Sequence, residues 1–346
     1  MAIKFGVAGS GSWATALVKI LTDNGHKVNW CLRNEASVAF IKQRHHNPKN
    51  LTAAVLNTRL LHLTTDLAAL VDRSDVVILA MPSAYVAATL QVLAPDAFGN
   101  KKILSAIKGI LPVENVLLNE HLERNFDVPL TNYFAVLGPC HAEEVAAEKL
   151  SYLTFSGVDE AFASRIAAHF KSSFINTVVN EDILGVQYAA VLKNIYALGA
   201  GIAHGLDYGD NFQSVYIANS ADEMAGFLRK FGAEHIVVGE HDDLDHPGKK
   251  YANYSASVYL GDLLVTCYSL HSRNRTFGNM IGKGYSVQAA QLELRMVAEG
   301  YNAAKCIYNT NKSLKADMPI ADTIYQILWE QLPPAKGFEK IEGFLI

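Results

Sequence analysis

A short glycine-rich motif near the start of the chain constrains its fold more than any other feature. Residues Gly9–Ala14 follow the pattern Gly-x-Gly-x-x-Ala, directly after the apolar run Ile3–Val7 and before an amphipathic stretch. The first glycine of this pattern permits a tight turn, and the second lets a pyrophosphate approach backbone N–H groups. The alanine allows a helix to pack closely on a strand. We therefore predict a dinucleotide site at this turn, with Gly9 and Gly11 in contact with the phosphates.

The rest of the first half alternates short apolar runs with helical periodicity, which is typical of a doubly wound α/β domain with a largely parallel sheet. The predicted strands are Ile3–Val7, Val28–Trp30, Asp75–Ala80, Ile103–Ala106 and Tyr133–Leu137. The predicted helices between them are Ala14–Asn24, Ser83–Leu93 and Ala142–Lys149.

After about residue 180 the pattern becomes almost wholly helical. The predicted helices are Ile183–His204, Phe212–Phe231, Ser255–Ser272, Val287–Asn309 and Ile320–Gln331. We therefore predict a Rossmann-type NAD(P)-binding domain over residues 1–180 and an all-α substrate domain over residues 181–346.

Composition excludes several classes of partner. The formal net charge of −4 gives no basic field for nucleic acid. No uninterrupted apolar stretch reaches the roughly 18 residues of a membrane span. The four cysteines have no paired spacing, which suits a reducing cytoplasm. The acids and histidines of residues 240–250 are interpreted as a solvated loop, so we expect no metal site.

The choice between the two nicotinamide dinucleotides depends on the end of the second predicted strand. Arg33 could pair with the 2′-phosphate of NADP, whereas Glu35 keeps NAD possible because an acid at this place binds the adenosine ribose. The alternative for Arg33 is stacking on adenine or a solvated position. The residues favour NADP only slightly.

Two lysines are candidates for chemistry. Lys193 lies in an apolar helix, where a charged amine is costly unless it is paired or used. Desolvation would lower its pKa and suit it to proton transfer, although its side chain could instead extend to the surface. Lys108 follows a predicted strand at its carboxyl end, where open α/β sheets bind ligands, but on position alone a lysine in a surface loop is the favoured interpretation.

A third polar group is predicted on the segment that contains Asp262 and Arg273. If one helix continued through both, Asp262, Thr266 and Arg273 would share a face. The carboxylate could then hold the amine of Lys193, and the guanidinium would suit a phosphate or carboxylate. A surface network within one helix is the alternative.

These blocks, taken together, resemble the bacterial NAD(P)-dependent glycerol-3-phosphate dehydrogenase family, and they keep the family's order from residue 3 to about residue 330. The resemblance is carried by residues 9–17, Lys108-Gly109, residues 138–144, Lys193-Asn194, residues 261–267, residues 272–275 and residues 297–300.

The resemblance implies reversible oxidation of sn-glycerol 3-phosphate to dihydroxyacetone phosphate with NAD or NADP. Its reductive direction would supply glycerophospholipid synthesis. It also implies a cytoplasmic homodimer and a helical domain like the C-terminal domain of 6-phosphogluconate dehydrogenase.

The resemblance also assigns roles residue by residue. Lys193 would be the proton acceptor, with Lys108 and Asp262 also catalytic. The implied cofactor contacts are Ser12, Trp13, Arg33, Lys108, Ala142, Arg273, Val297 and Glu299, in addition to Gly9 and Gly11 of the motif. The implied substrate contacts are Lys108, Gly138, Cys140, Asp262, Ser272, Arg273 and Asn274. We also predict contacts from Lys193, Asn194 and Thr266.

Some segments depart from the family pattern, and two other functions stay open. Cys140-His141 replaces a hydroxyl residue and an aromatic residue, residues 211–221 lack basic residues that the family commonly carries at Gln213 and Asn219, and residues 240–260 look unusual. A β-hydroxyacid dehydrogenase of similar architecture is one alternative. The other is an NAD(P)-sensing protein that has lost turnover.

Overall fold

A single sheet organises the first half of the chain in the computed structural model, which describes residues 3–232, 257–294 and 298–346. In these residues the sheet has eight strands in the order β3-β2-β1-β4-β5-β6-β7-β8. The strands are β1 (Phe5–Ala8), β2 (Val28–Cys31), β3 (Leu61–Thr64), β4 (Val76–Leu79), β5 (Lys102–Ser105), β6 (Tyr133–Leu137), β7 (Ser151–Ser156) and β8 (Ile175–Asn180).

The strand pairing confirms the α/β class and explains the apolar runs. Strands β1, β4 and β6 are buried along their whole length, as expected for a sheet covered on both faces. All neighbouring pairs are parallel except β6 and β7, which are antiparallel. Strand order reverses beside β1, and in open α/β sheets ligands bind outside the carboxyl ends of strands at such a reversal.

Helices follow most strands of this sheet. They are α1 (Ser12–Asp23), α2 (Glu35–Arg44), α3 (Leu67–Asp72), α4 (Val86–Leu90), α5 (Leu118–Phe126), α6 (Ala142–Ala146) and α7 (Glu160–Phe170). Helix α1 has nine consecutive buried residues, because one of its faces covers the sheet and another packs on α6 and α7.

The described chain divides into two compact units. The first comprises Met1–Ile107 and Val116–Ile183, and the second comprises Lys108–Asn115 and Leu184–Ile346. The sequence-based division at residues 180 and 181 did not anticipate that residues 108–115 leave the first unit and join the second.

From residue 184 onward the regular elements of the second unit are all helices in the described residues, as predicted, whereas residues 108–115 form turns and loop. Its helices are α8 (Ile183–Gly205), α9 (Asp210–Lys230), α10 (Asp262–Tyr268), α11 (Arg273–Gly282), α12 (Val287–Leu294), α13 (Glu299–Leu314), α14 (Pro319–Trp329) and α15 (Pro334–Glu342), with a π-helical stretch, Ser257–Gly261, before α10. Among the described helices, α8 alone is long and apolar enough to span a membrane, but 94% of its most apolar window is buried, so it is a core helix.

Two predicted helices are interrupted. The predicted helix Ser255–Ser272 ends at Tyr268, and a new helix begins at Arg273 because the Ser272 side chain caps it by accepting from the N–H of Arg275 at 3.3 Å. The predicted helix Val287–Asn309 is also broken, because Ala298 has an extended backbone before α13 begins.

Helices α8 and α11 cross with their backbones in contact. A Cβ atom on Gly201 would overlap the carbonyl of Arg275, and one on Gly278 would overlap the carbonyl of Leu198. Gly282 is equally close to the backbone of α8. Glycines four residues apart therefore set the distance between α8 and α11.

We predict that Gly278→Ala destabilises the protein by about 1–3 kcal/mol, since a buried methyl group against backbone cannot be accommodated by a rotamer change. Gly226→Ala is the matched control, because a Cβ at this helical glycine has nothing within 4 Å. The control should raise the free energy of unfolding by up to about 1 kcal/mol. Urea denaturation of both variants checks this expectation, and equal effects would contradict it.

Candidate active site

The glycine-rich turn of the first unit has the geometry of a dinucleotide cradle. Gly9 follows β1 with a φ of +143°, and a side chain there would overlap the carbonyl of Ala80. A Cβ on Gly11 would meet nothing within 4 Å, so this face of the turn is open. Ser12 and Trp13 begin α1, where backbone N–H groups and the helix dipole favour a phosphate. The residues present therefore fit a dinucleotide.

The end of β2 bears on the choice of dinucleotide. Arg33 is exposed, and its backbone N–H donates to Ser10 Oγ at 2.9 Å. Its guanidinium forms no ion pair with any residue in the described ranges. The carboxylate of Glu35 accepts a short hydrogen bond from the Thr65 hydroxyl. The cation at this strand end is thus available, whereas the nearby acid already has a partner.

Three further predicted residues lie beyond β6 in the same unit. Gly138 directly follows the strand, Cys140 is buried, and Ala142 is the first residue of α6. The hydroxyl that the family pattern carries at position 140 is replaced by a thiol that is 5% exposed.

The second unit contains a buried ion pair between Lys193 on α8 and Asp262 at the start of α10. Lys193 Nζ lies 2.5 Å from Asp262 Oδ1, and the two side chains are only 4% and 2% exposed. Burying two charges is costly unless they lie in close contact, as they do here. The sequence-based expectation that Asp262 could hold this amine agrees with the geometry.

Burial lowers the pKa of Lys193 to about 8, from 10.5 for a lysine in water. The charge of Asp262 opposes this change, and the charge of Lys108 adds to it. A pKa near neutral pH lets the amine both accept and return a proton, as a general acid and base must.

Lys108 completes a cluster of three charged groups. Its Nζ lies 4.0 Å from Asp262 Oδ2, on the other carboxylate oxygen from the one that Lys193 contacts. Its side chain is 23% exposed, so of the two lysines it has more access to a ligand. One buried carboxylate therefore faces two cations.

A chain of amide hydrogen bonds holds the backbone beside this cluster. Asn194 Nδ2 donates to the carbonyl of Lys108 at 2.8 Å and to that of Ala190 at 3.0 Å. Asn194 Oδ1 accepts from Asn274 Nδ2 at 2.8 Å, and Asn274 Oδ1 accepts from the N–H of Gly300 at 2.9 Å. Both amide hydrogens of Asn194 are thus committed to backbone carbonyls.

The structure places Thr266, Ser272 and Arg273 on two helices, whereas the prediction placed them on one. The predicted shared face of Asp262, Thr266 and Arg273 required a continuous helix, and that prediction is wrong because α10 ends at Tyr268. The Thr266 hydroxyl donates to the carbonyl of Asp262 at 2.6 Å. Buried Ser272 caps α11, and Arg273 is exposed at the first position of that helix.

The remaining predicted residues lie close to the limits of the described ranges or outside them. Glu299 is half-buried at the start of α13. Val297 and the segment of residues 240–250 lie outside the described residues. Within the described ranges, no group of three or more histidine, cysteine, aspartate or glutamate residues could hold a metal ion.

Sequence reasoning missed two residues that shape these sites. The indole Nε1 of Trp30 donates to the carbonyl of Gly9 at 2.7 Å and supports the turn. Gly300 lets its helix start approach the carbonyl of Asn194 so closely that a side chain would overlap it. The signal for Gly300 was its place in a matching block. Trp30 gave no signal beyond being apolar.

Comparison with known proteins covers nearly the whole chain. Residues 4–163 match the family model "NAD-dependent glycerol-3-phosphate dehydrogenase N-terminus", and residues 182–339 match the corresponding C-terminus model. Glycerol-3-phosphate dehydrogenase [NAD(P)+] from Lacticaseibacillus paracasei is 32% identical over 96% of this chain and 92% of its own. The protein of the same name from Bacillus subtilis is 32% identical over 94% and 91%.

Solved structures agree on the fold. The crystal structure of glycerol-3-phosphate dehydrogenase from Coxiella burnetii covers 98% of both chains with a TM-score of 0.86 at 24% identity. The structure of the yeast glycerol-3-phosphate dehydrogenase covers 99% of this chain and 100% of its own, with a TM-score of 0.77 at 22% identity. By two family models and full-length relatives above 30% identity, this chain belongs to the NAD-dependent glycerol-3-phosphate dehydrogenase family.

Proposed function

We propose that this chain catalyses the reversible oxidation of sn-glycerol 3-phosphate to dihydroxyacetone phosphate with NAD or NADP. The observation that carries this proposal is the buried Lys193–Asp262 pair beside Lys108, in a chain that matches the family over nearly its full length. The curated relatives bear the same activity in their names.

Lys193 is the proposed general acid and base. In oxidation its neutral amine accepts the proton of the substrate's secondary hydroxyl, and in reduction its ammonium returns a proton to the carbonyl oxygen. Asp262, at 2.5 Å, orients the amine and stabilises the ammonium that forms. Bound NAD(P) supplies the chemistry of hydride acceptance, and NAD(P)H that of hydride donation.

Lys108 is the proposed electrostatic partner of this step. Its ammonium shares Asp262 with Lys193, and it helps to keep the pKa of Lys193 near neutral pH. A second cation beside the reacting oxygen would stabilise the negative charge that develops there. The hydrogen bond from Asn194 to the backbone of Lys108 supports a positioning role for Asn194, and its direct contact with substrate stays a prediction.

Arg273 is the proposed anchor for the phosphate of the substrate. It is exposed at the first position of α11, where the guanidinium and the helix N-terminus both attract an anion. Asn274, next to it, is tied to Asn194 and fixes the start of this helix. Contacts of Gly138, Cys140, Thr266 and Ser272 with substrate stay predictions.

The cofactor would be held by the turn of Gly9 and Gly11, the start of α1 and the exposed cation of Arg33. Contacts from Ala142, Lys108, Arg273, Val297 and Glu299 stay predictions from the resemblance. The exposed guanidinium of Arg33, which forms no ion pair in the described ranges, supports NADP, whereas the carboxylate of Glu35 has acceptor sites beyond its hydrogen bond from Thr65 and keeps NAD possible.

Two earlier alternatives lose support. Membership of the family disfavours a β-hydroxyacid dehydrogenase. A sensor without turnover was suggested by residues 211–221, which lack the basic residues that the family commonly has at Gln213 and Asn219. The amide of Asn219 bonds the backbone of Ile346, donating at 3.1 Å and accepting at 3.2 Å, so this one departure has a structural role. The Lys193 cluster lies outside the altered segment. A cytoplasmic homodimer that supplies glycerophospholipid synthesis remains part of the proposal.

We predict opposite pH dependences for the two directions of reaction. Oxidation needs neutral Lys193, so its kcat/KM should rise with pH through about 8, whereas reduction needs the ammonium and should fall over the same range. Initial rates with sn-glycerol 3-phosphate and with dihydroxyacetone phosphate between pH 6 and 10 measure both profiles.

Two lysine variants control this experiment. Lys193→Met should lose about 10²- to 10⁴-fold in kcat while still binding NAD(P)H. Lys19→Met removes another buried, ion-paired lysine, in the first unit, and should keep both profiles. Near-normal turnover of Lys193→Met would remove Lys193 from the catalytic role, and absence of turnover in the unaltered protein would refute the proposed function.

We predict that Arg273→Ala lowers kcat/KM for dihydroxyacetone phosphate by roughly 10- to 150-fold, the worth of a charge-assisted contact to phosphate. Reduction of unphosphorylated dihydroxyacetone should change little, since it lacks the anion. Both substrates are compared at saturating cofactor, so that any shared loss of cofactor affinity cancels. Equal losses for the two substrates would mean that the phosphate is bound elsewhere.

We predict that Arg33→Asp reduces kcat/KM for NADPH far more than for NADH, because the lost cation and the new carboxylate both act on the 2′-phosphate. Arg44→Asp makes the same charge change in the last turn of α2 and serves as the control. The ratio of the two kcat/KM values is the measurement. An unchanged ratio in Arg33→Asp would show that this residue does not meet the phosphate.

A further inference from the structure

Two asparagine side chains from outside the glycine-rich motif hold one carbonyl group within it. Asn50 Nδ2 donates to the carbonyl oxygen of Ser10 at 2.9 Å, and Asn47 Nδ2 donates to the same oxygen at 3.2 Å. Both residues lie between α2 and β3, in the same unit as the turn. No role for this segment follows from the motif itself.

Asn47 is firmly anchored. It is 3% exposed, and its Nδ2 also donates to the Thr15 hydroxyl on α1 at 2.9 Å. Its Oδ1 accepts from the N–H groups of Lys49 at 3.1 Å and Asn50 at 3.0 Å, which folds the segment into a tight turn. One buried amide therefore joins the 47–50 segment, the glycine-rich turn and the first helix.

The neighbouring carbonyl groups of the turn are also occupied. The carbonyl of Gly9 accepts from Trp30, and that of Gly11 accepts from the backbone N–H and the hydroxyl of Thr15, each at 3.0 Å. With Ser10 included, three successive carbonyl oxygens of the motif are bound by donors. Each of the three oxygens therefore has a donor within the protein.

Fixing the Ser10 carbonyl also fixes the next N–H group. The carbonyl of Ser10 and the N–H of Gly11 belong to one planar peptide and point in opposite directions. The N–H of Gly11 donates to no group in the part of the chain that the structure describes. Two donors on the carbonyl therefore fix the direction of this N–H, and the space beside Gly11 is open because a Cβ there would meet nothing within 4 Å.

We propose that Asn47 and Asn50 are positioning residues for the dinucleotide. By clamping the Ser10 carbonyl they preorganise the Gly11 N–H as a donor to the pyrophosphate. Buried Asn47 acts through Ser10, because its own amide hydrogens are both used within the protein. The proposal rests on the cofactor-binding part of the proposed function, and it requires nothing of the catalytic cluster.

The test uses neutral substitutions, so that no new charge acts on the phosphates. Asn50→Ala removes one donor from Ser10. Asn47→Ser removes the other, together with the hydrogen bond to Thr15, while its hydroxyl can still accept from the N–H groups of the segment. Asn24→Ala is the matched control, since the Asn24 amide also holds two backbone carbonyls of the first unit, those of His169 and Lys171.

The measurements are the Kd values of NADPH and NADH by fluorescence titration, the Tm without ligand, and kcat at saturating cofactor. Each single variant should raise both Kd values by about 2- to 13-fold, the worth of one neutral hydrogen bond. The double variant should exceed the product of the two, because each single change leaves one donor on Ser10. Turnover at saturating cofactor should stay within about twofold. Asn24→Ala should lower Tm and leave Kd unchanged.

The outcomes separate this inference from the proposed function. Lower Tm with unchanged Kd in both variants would make the asparagines purely structural and overturn the inference, whatever the activity. An unaltered protein that binds NADPH without reducing dihydroxyacetone phosphate would overturn the function, while the Kd comparison still decides the inference. If Asn47→Ser fails to fold, Asn50→Ala decides alone, because Asn50 is only half-buried.

Discussion

The contact between Lys193 and Asp262 is the interaction on which the second unit's chemistry depends. A lysine in the middle of an apolar helix would be strongly destabilising if it stood alone. The carboxylate of Asp262 offsets this cost, but only partly, because burial still dominates the pKa of the amine. The result is an amine whose charged and neutral states are close in free energy near neutral pH, as the proposed proton transfer requires. A fully compensated pair would be too stable as an ion pair to exchange a proton readily.

Such a balance requires the helix backbones around the charged pair to be placed accurately. Glycine residues allow the close backbone contacts that place them. Where α8 and α11 meet, backbone touches backbone, so no flexible side chain can alter the spacing. Gly300 gives the start of α13 the same closeness to α8. The amide chain through Asn194 and Asn274 then links these three helices to the backbone of Lys108. These hydrogen bonds fix the position of the Lys108 backbone relative to the three helices.

Sequence reasoning succeeded where a local pattern has one dominant physical cause. The turn of Gly9 and Gly11, the buried strand Tyr133–Leu137 and the long apolar helix α8 were all predicted from such patterns. The strands β3, β7 and β8 were missed, because β3 and β8 are half-exposed and all three lack a long apolar run. The break between α10 and α11 was missed although Ser272 is a favourable N-cap, since helical periodicity on both sides concealed it.

From the sequence we predicted candidate residues of the site, but not most of the contacts between them. Lys193 was predicted from the cost of a charged amine in an apolar helix, and Asp262 was predicted as a carboxylate that could hold that amine. The amide chain and the clamp on Ser10 join residues that are distant along the chain, such as Asn50 and Ser10. Pairings of this kind depend on tertiary structure, and no spacing rule reveals them.

Residues 108–115 belong to the second unit although the following 68 residues belong to the first, so the second unit cannot be produced as one continuous fragment. A fragment that starts at Leu184 would contain Lys193, Asn194 and Asp262, but it would lack Lys108 and the carbonyl to which Asn194 donates. During synthesis, Lys108 emerges from the ribosome long before the helices that receive it. The proposed catalytic cluster of Lys108, Lys193 and Asp262 therefore cannot assemble until the chain has been made at least as far as α10, and no single cut in the chain separates the two units.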